Sequence, residues 1–235
     1  RANIKLTSYL SDIYGVTGMA LLEMFSNGEV ITEETLLPKI HGKVKATAAE
    51  LVEAMDGKLS FEDRFLLGQS LEHYRHSVNQ VEEITVVIKQ YVLERFEREY
   101  NLLIELPGVS AIVACVILSE IGPNVEAFKS QGNLASWAGV CPGSYESAGI
   151  KKSSHTTQGN KYLKSILFQA GGTAGRSKDE AFHNLYARIS GRSSKMKAII
   201  ACAHKMIRVI YKILSTGEHY DAKKALGLRQ QARAN

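Results

Sequence analysis

From Leu67 onward, apolar residues follow one another at steps of three or four through Leu71, Tyr74, Val78, Val81, Ile84, Ile88 and Tyr91 or Val92. Glu and Arg fill the remaining faces up to Tyr100. That spacing predicts one long helix with a single apolar stripe. Only about three or four heptads are present, so a coiled-coil arm or hairpin used for oligomerisation and a long helix packed on its own domain both fit. Helical spacing also dominates on either side of it. The predicted fold is therefore all-α: a long helical coiled-coil arm, then a compact helical domain interrupted by one polar loop.

The breaks in this pattern divide the chain. Residues 1–60 read as an N-terminal helical linker segment, with the Asn-Gly breaker of "SNGE" at Ser26 to Glu29, a turn near "LPKIHGK", and another break in "EAMDGKLS". Residues 61–104 form the long helix, residues 105–220 the compact domain, and residues 221–235 a short polar tail expected to fray. His73 and His76 lie among Glu72 and Arg75 without a second ligand cluster and read as solvated helix residues.

Composition narrows the class. At 235 residues and 45% hydrophobic, the chain can bury one sizeable core, or one core plus an extended arm. Cys115, Cys141 and Cys202 form no CxxC pair, which argues against a disulfide framework or a zinc ribbon and fits a reducing cytoplasm. The longest apolar run, Ala111 to Leu118, falls far short of the roughly 20 residues a bilayer demands. No membrane partner is expected. The chain begins with Arg1 and no export leader is visible, so it reads as a fragment of something longer.

Charge is unevenly placed. Residues 1–100 hold 11 Lys and Arg against 16 Asp and Glu, a balance of −5, whereas residues 101–235 hold 18 against 8, a balance of +10. Between Ser147 and Gly217 the only carboxylates are Asp179 and Glu180, against 13 lysines and arginines. A nucleic-acid contact surface and a well-solvated basic face both fit that asymmetry.

At Leu102 the character changes. "LLIELPGVSAIVACVILSEIG" sets Leu-Pro-Gly-Val between two apolar helical segments. Pro107 ends the first helix and Gly108 permits a tight turn. The amides that open the next helix, after Val109 and Ser110, are left without intrahelical partners, a ready site for a phosphate. This is the pattern of a helix-hairpin-helix, with Ser110 where a second glycine is common; a plain corner between helices is the alternative. Trp137, the only tryptophan, is expected in the core.

The stretch from Ser144 to Asn160 has no apolar periodicity and must lie at a surface. It collects hydroxyls and glycines beside Lys151, Lys152 and His155, followed by Lys161. From Asn160, a plausible N-cap, helical pattern resumes, with Tyr162, Leu163, Ile166, Leu167 and Ala170 predicted to face inward and Lys161 and Lys164 toward the loop. Arg188, Arg192, Lys195 and Lys197 form a second basic cluster, read as positioning nucleic acid or as a solvated turn. The next helix should bury Ile199, Ala203, Met206, Ile210 and Ile213, with His204 packed or capping.

In this order and spacing, "ELPGVSAIVACVILSEIG", "FKSQGNLASWAGVCPGSYESAG", "GNKYLKSILFQAG" and "KAIIACAHKMIRVIYKILSTGEHY" resemble the C-terminal domain of the DEDD-type insertion-sequence transposases, the IS one-ten group and its eleven-eleven subgroup. The opening "NIKLTSYLSDIYGVTGMALLEMFSNGE" resembles the segment that follows the catalytic N-terminal domain of the same family. The resemblance implies a DNA recombinase, guided in part of the family by a structured noncoding RNA. Its partners would be DNA (element ends and target), a guide RNA and further copies of itself through the coiled coil. It would work in the bacterial or archaeal cytoplasm, associated with the nucleoid.

The resemblance also implies that Ser147, in "YESAG", is the nucleophile, which makes the polar loop catalytic. Ala148 departs from the commoner Ser-Gly-Gly, and Ser144 is the nearest rival. A serine attacking a phosphodiester needs a proton acceptor, charge to stabilise the crowded phosphorus, and a thin backbone. Gly143 and Gly149 thin the backbone, and the loop cations can meet the phosphate. Neither Glu146 nor His155 is a convincing base. The family implies Mg2+ in an acidic N-terminal site, with none bound by this chain, so catalysis would be composite. The chain alone is expected to bind nucleic acid without cleaving it. A noncatalytic helix-hairpin-helix module and a helical oligomerisation scaffold with an incidental basic face are the alternatives from other classes.

Overall fold

The computed structural model describes residues 4–141, 145–147, 150–153, 156 and 158–227. Two compact units emerge, Arg1–Glu83 and Ile84–Asn235. The described residues are helical apart from one short two-stranded antiparallel pairing.

The first unit begins with α1 (Leu6–Tyr9), α2 (Val16–Asn27) and α3 (Glu33–Leu36), followed by a turn of 3-10 helix at Leu37–Lys39 and then α4 (Ala48–Ala54). The Asn-Gly breaker ends α2 as the sequence predicts: Gly28 takes a left-handed φ of 68°, and its amide caps the carbonyls of Met24 and Phe25. Thr47 and Glu50 form a reciprocal capping box that fixes the start of α4. Leu21, Leu36 and Leu51 are fully buried with Leu6, Leu10, Met24, Phe25, Ala54 and Met55. Each such leucine contributes about 1.5–3 kcal/mol to folding.

The helix α5 (Phe61–Ile104) contains the long predicted stripe. The stripe divides into two parts. Leu67 packs on the first unit's core, Leu71 is buried, and Tyr74 stacks on Tyr14 at 5.3 Å between ring centroids. Arg75 pairs with Glu23. From Val78 the stripe lies open: Val81, Ile84, Ile88 and Tyr91 are exposed. Helical dihedrals break at Phe96 (φ −138°, ψ 34°), after which Tyr100, Leu102 and Leu103 enter the second unit's core.

That unit continues through α6 (Ala111–Ile121), α7 (Gln131–Trp137), β1 (Tyr145–Ser147), β2 (Ile150–Ser153), α8 (Lys161–Arg176), α9 (Glu180–Ser190), α10 (Lys195–Thr216) and α11 (Ala222–Gly227). The helix α8 is its hub and packs against α6, α9 and α10. The reason is legible in "QAGGTAG": small residues let neighbouring backbones approach. A Cβ on Gly171 would stand 2.7 Å from the backbone nitrogen of Ala203 on α10. On α10, Ala203, Met206, Ile210 and Ile213 are buried as predicted.

Several expectations are corrected. Residues 145–153, read as irregular loop, include paired strands. The tail is not all frayed: α11 packs against α9 and buries Ala225. Trp137 and Tyr162, both assigned to the core, are 40% and 60% exposed. Cys115 and Cys202 are buried, Cys141 is half-buried, and all three are free thiols. Burial pushes the Cys202 thiol up to about 11 against the opposing pull of Lys205, so it stays protonated and inert. No helix among the described residues is long and apolar enough to cross a membrane.

Candidate nucleic-acid interface

The strands β1 and β2 lie in sequence between the two halves of a clamp. On the entry side α7 ends in a left-handed Gly139 (φ 71°), and the Val140 amide reaches back to the carbonyl of Ala135 at 3.2 Å. Val140 is fully buried, which anchors that side in the core. On the return side Gly159 lies against Gly139: a Cβ there would stand 2.4 Å from the Gly139 nitrogen and 2.6 Å from the Trp137 oxygen. Only glycine allows that approach. The Asn160 amide then donates to the Trp137 carbonyl at 3.0 Å, joining the two halves.

Asn160 also fixes the helix that follows. Its side-chain oxygen accepts from the amides of Tyr162 and Leu163 at 3.0 and 2.9 Å, capping α8, and its Nδ2 donates to the Glu120 carboxylate on α6. Through its side chain and its backbone amide, one residue therefore ties together α6, α8 and the end of α7. In register, Glu146 faces Lys151 and Ser147 faces Ile150, the last pair before the connection through residues 148 and 149. Ser147 is thus placed at the distal end of β1. Lys151 and Lys152 lie in β2, and Ser144 and His155 lie outside the described residues.

The cations at the return side are positioned by α8. Lys161 is exposed in its first turn, with the ammonium 4.8 Å from the centroid of the Tyr162 ring, and the Lys164 ammonium lies 5.9 Å from that of Phe168. No carboxylate occupies that first turn. The turn at Pro107 is packed inward. Gly108 has φ 82°, a Cβ on it would stand 2.3 Å from the Ala170 carbonyl oxygen of α8, and Val109 is buried. Ser110 stays exposed and caps α6 by accepting from the Val113 amide at 3.4 Å, so it occupies one of the donors an anion would use.

Arg188, Arg192, Lys195 and Lys197 are exposed around the turn from α9 to α10, a cationic group separate in sequence from the clamp. Like α8, α10 opens without an acidic residue. Farther along α9 and α10 lie further polar contacts. Lys205 donates to the Ala181 carbonyl at 2.8 Å, and burial holds its ammonium below the ordinary lysine range, partly offset by Asp179. The Tyr220 hydroxyl donates to Asp179 at 3.0 Å, and burial and that carboxylate together raise its pKa. Arg208 donates to Gln131 at 3.1 Å, and burial, then Arg208, lowers the His204 pKa. These contacts brace the helices that carry the surface cations. Among the described residues no cluster of three or more His, Cys, Asp or Glu is placed to hold a metal ion.

Residues 100–187 match the model of the transposase IS116/IS110/IS902 family. The matched stretch runs from the end of α5 into α9 and contains the whole clamp. A protein of Sinorhizobium fredii named as a transposase, y4pF/y4sB, is 31% identical over 157 residues, covering 63% of this chain and 39% of that protein. The pilin gene-inverting proteins of Moraxella lacunata and Moraxella bovis are each 27% identical over 158 residues, covering 65% and 66% of this chain and 48% of either protein. The chain spans less than half the length of these curated relatives. The similarity is to a transposase domain, alongside relatives named for transposition and for gene inversion.

Proposed function

We propose that this chain is the DNA-binding and catalytic C-terminal part of an insertion-sequence transposase or recombinase, with Ser147 as nucleophile. The observation that carries the reading is the coincidence of the matched stretch with a clamp that brackets the serine- and lysine-bearing segment. In the reaction, the Ser147 hydroxyl oxygen attacks a DNA phosphorus. A serine–phosphate ester forms, the bond to one deoxyribose oxygen breaks, and that oxygen leaves as a hydroxyl after taking up a proton. The serine's own proton passes to an acceptor. Because one phosphodiester replaces another, the exchange can run back when a second strand's hydroxyl attacks the ester.

Lys151, Lys152, His155, Lys161 and Lys164 are proposed to neutralise the phosphate, and Ser110 at the Pro107–Gly108–Val109 turn to contact backbone as a helix-hairpin-helix would. Arg188, Arg192 and Lys195 would position DNA or a structured guide RNA. The open stripe from Val81 to Tyr91 supports self-association through α5 as a coiled coil. A divalent cation, Mg2+ by expectation, would come from an acidic site elsewhere in a longer protein and would polarise the serine or the phosphate. Catalysis is then composite, and this chain alone binds nucleic acid without cutting it.

The test uses a longer protein carrying this chain, stalled on nicked DNA. After nuclease and trypsin digestion, the peptide from Ser130 to Lys151 is fragmented to find which serine holds a nucleotide. An adduct on Ser147, lost with all recombination in Ser147→Ala, is the expected result. An adduct on Ser144 moves the nucleophile. A preparation that recombines DNA with no adduct on either serine leaves the chain as a gripping module only, and Mg2+-dependent cleavage by the isolated chain sinks the composite site.

A further inference from the structure

Two aromatic rings that helical spacing assigns to the core are turned outward at the clamp. Tyr162 is 60% exposed in the first turn of α8, although the adjacent Leu163 is fully buried. Trp137 is 40% exposed at the end of α7, with its ring 5.3 Å from that of Phe128 at an interplanar angle of 57°. A single exposed aromatic is ordinary. Here the two flank one hydrogen bond, between the Asn160 amide and the Trp137 carbonyl, at the point where the polar hairpin leaves the core. Both are held at their bases, Tyr162 by the Asn160 cap on its amide and Trp137 by its contact with Phe128. The Lys161 ammonium lies over one face of the Tyr162 ring and leaves the other face uncovered by that cation.

Rigid, exposed rings next to lysines are the composition of surfaces that bind unpaired nucleic acid: the rings stack bases and the cations track phosphates. Backbone contact alone requires no exposed ring. We propose that Tyr162 is a stacking platform for an unpaired nucleobase, with Trp137 on the other side of the Asn160–Trp137 hydrogen bond, so that the clamp holds a strand whose base has left the helical stack. This rests on the nucleic-acid reading above and adds a preference for unstacked bases to it. A strand opened in this way exposes its phosphodiester to the hairpin, which a stacked duplex does not.

The test measures binding of the chain to short single strands containing 2-aminopurine, to the same strands with an abasic site at that position, and to duplex of the same sequence. Trp137 emission, unambiguous because it is the only tryptophan, is followed in parallel. Tyr162→Leu is expected to weaken single-strand binding about 5- to 150-fold, the range one lost base–aromatic stack costs, and to abolish quenching of the 2-aminopurine. Tyr162→Phe keeps the ring and should bind like the parent, and the abasic strand should bind the parent and the Leu variant equally. Duplex affinity should be the same in all three proteins. If the parent binds duplex with strong salt dependence but Tyr162→Leu binds single strands unchanged, the platform is overturned and the interface stands. If the parent binds neither form, the platform and the interface fall together.

Discussion

Helices in the first unit and the second begin in opposite ways. In the first, α3 opens on Glu33 and Glu34, α4 on Glu50, and α5 on Glu62 and Asp63. These carboxylates lie at the positive end of the helix dipole, Glu50 and Asp63 also accept from the amides of Thr47 and Ser60, and hydrogen bonds at the cap hold the Glu50 carboxyl below its usual range. In the second, α8 opens on Lys161 and Lys164, and α10 on Lys195 and Lys197, with no acid in either first turn. A cation there opposes the dipole by about 0.3–1 kcal/mol. The second unit does use an acidic start at α9, where Asp179 caps the helix and also accepts from Tyr220. The lysines at α8 and α10 therefore contrast with the acidic start that the same unit uses at α9, while α6 and α7 open with neither an acid nor a lysine in the first turn. An anion supplied from outside would offset the unfavourable charge, as the proposed nucleic-acid contact requires.

The contrast is tested most strongly at α8. Lys161→Glu combined with Lys164→Glu should cost about thirtyfold in affinity for DNA, as expected for two lost phosphate contacts at about 0.15 M salt, and reduce the salt slope by about 2. Folding stability, read from urea unfolding, should stay level or rise, because the dipole now meets its preferred sign. A protein that loses both affinity and stability would mean that the lysines hold the fold. The converse change sharpens the comparison. Asp63 accepts from the Ser60 hydroxyl at 3.1 Å while its own amide donates back to that hydroxyl at 3.1 Å. Asp63→Lys should lower stability by about 1 kcal/mol and leave DNA affinity unchanged.

The smallest effect concerns pH. Burial, and then Arg208, holds the His204 imidazole below its ordinary value. Unfolded, it takes up a proton near about 6.5; folded, it resists. Its contribution is fully present above that value and is lost as pH falls through it toward the folded pKa. The urea midpoint should decline over that window, and His204→Gln should flatten the decline.

Features set by local chemistry were legible in advance. The Asn-Gly stop after α2, the Pro-Gly turn before α6 and the buried face of α10 all follow from spacing and residue type. Features set by contacts distant in sequence were not. Asn160 was recognisable as a cap, but its second partner, Glu120, lies 40 positions away on a different helix. Periodicity turned Trp137 and Tyr162 inward because it assumes a helix packed along its whole length; both sit at helix ends, where the clamp and not the stripe sets direction. The short strands escaped notice because they lack apolar alternation, the only signal that strands of three and four residues could give. The tail concealed α11 because its one anchor, Ala225, is small.

The paired glycines of the clamp have a consequence for how such a chain can change over generations. Gly139 and Gly159 bring the entry and exit of the polar segment to a single hydrogen bond, so that beyond the buried Val140 the core meets the segment only at this boundary. Helix packing is insulated from the segment proposed to touch DNA. Changes within that segment, other than at the residues proposed to act on DNA, leave the helices beneath with the sequence that folds them.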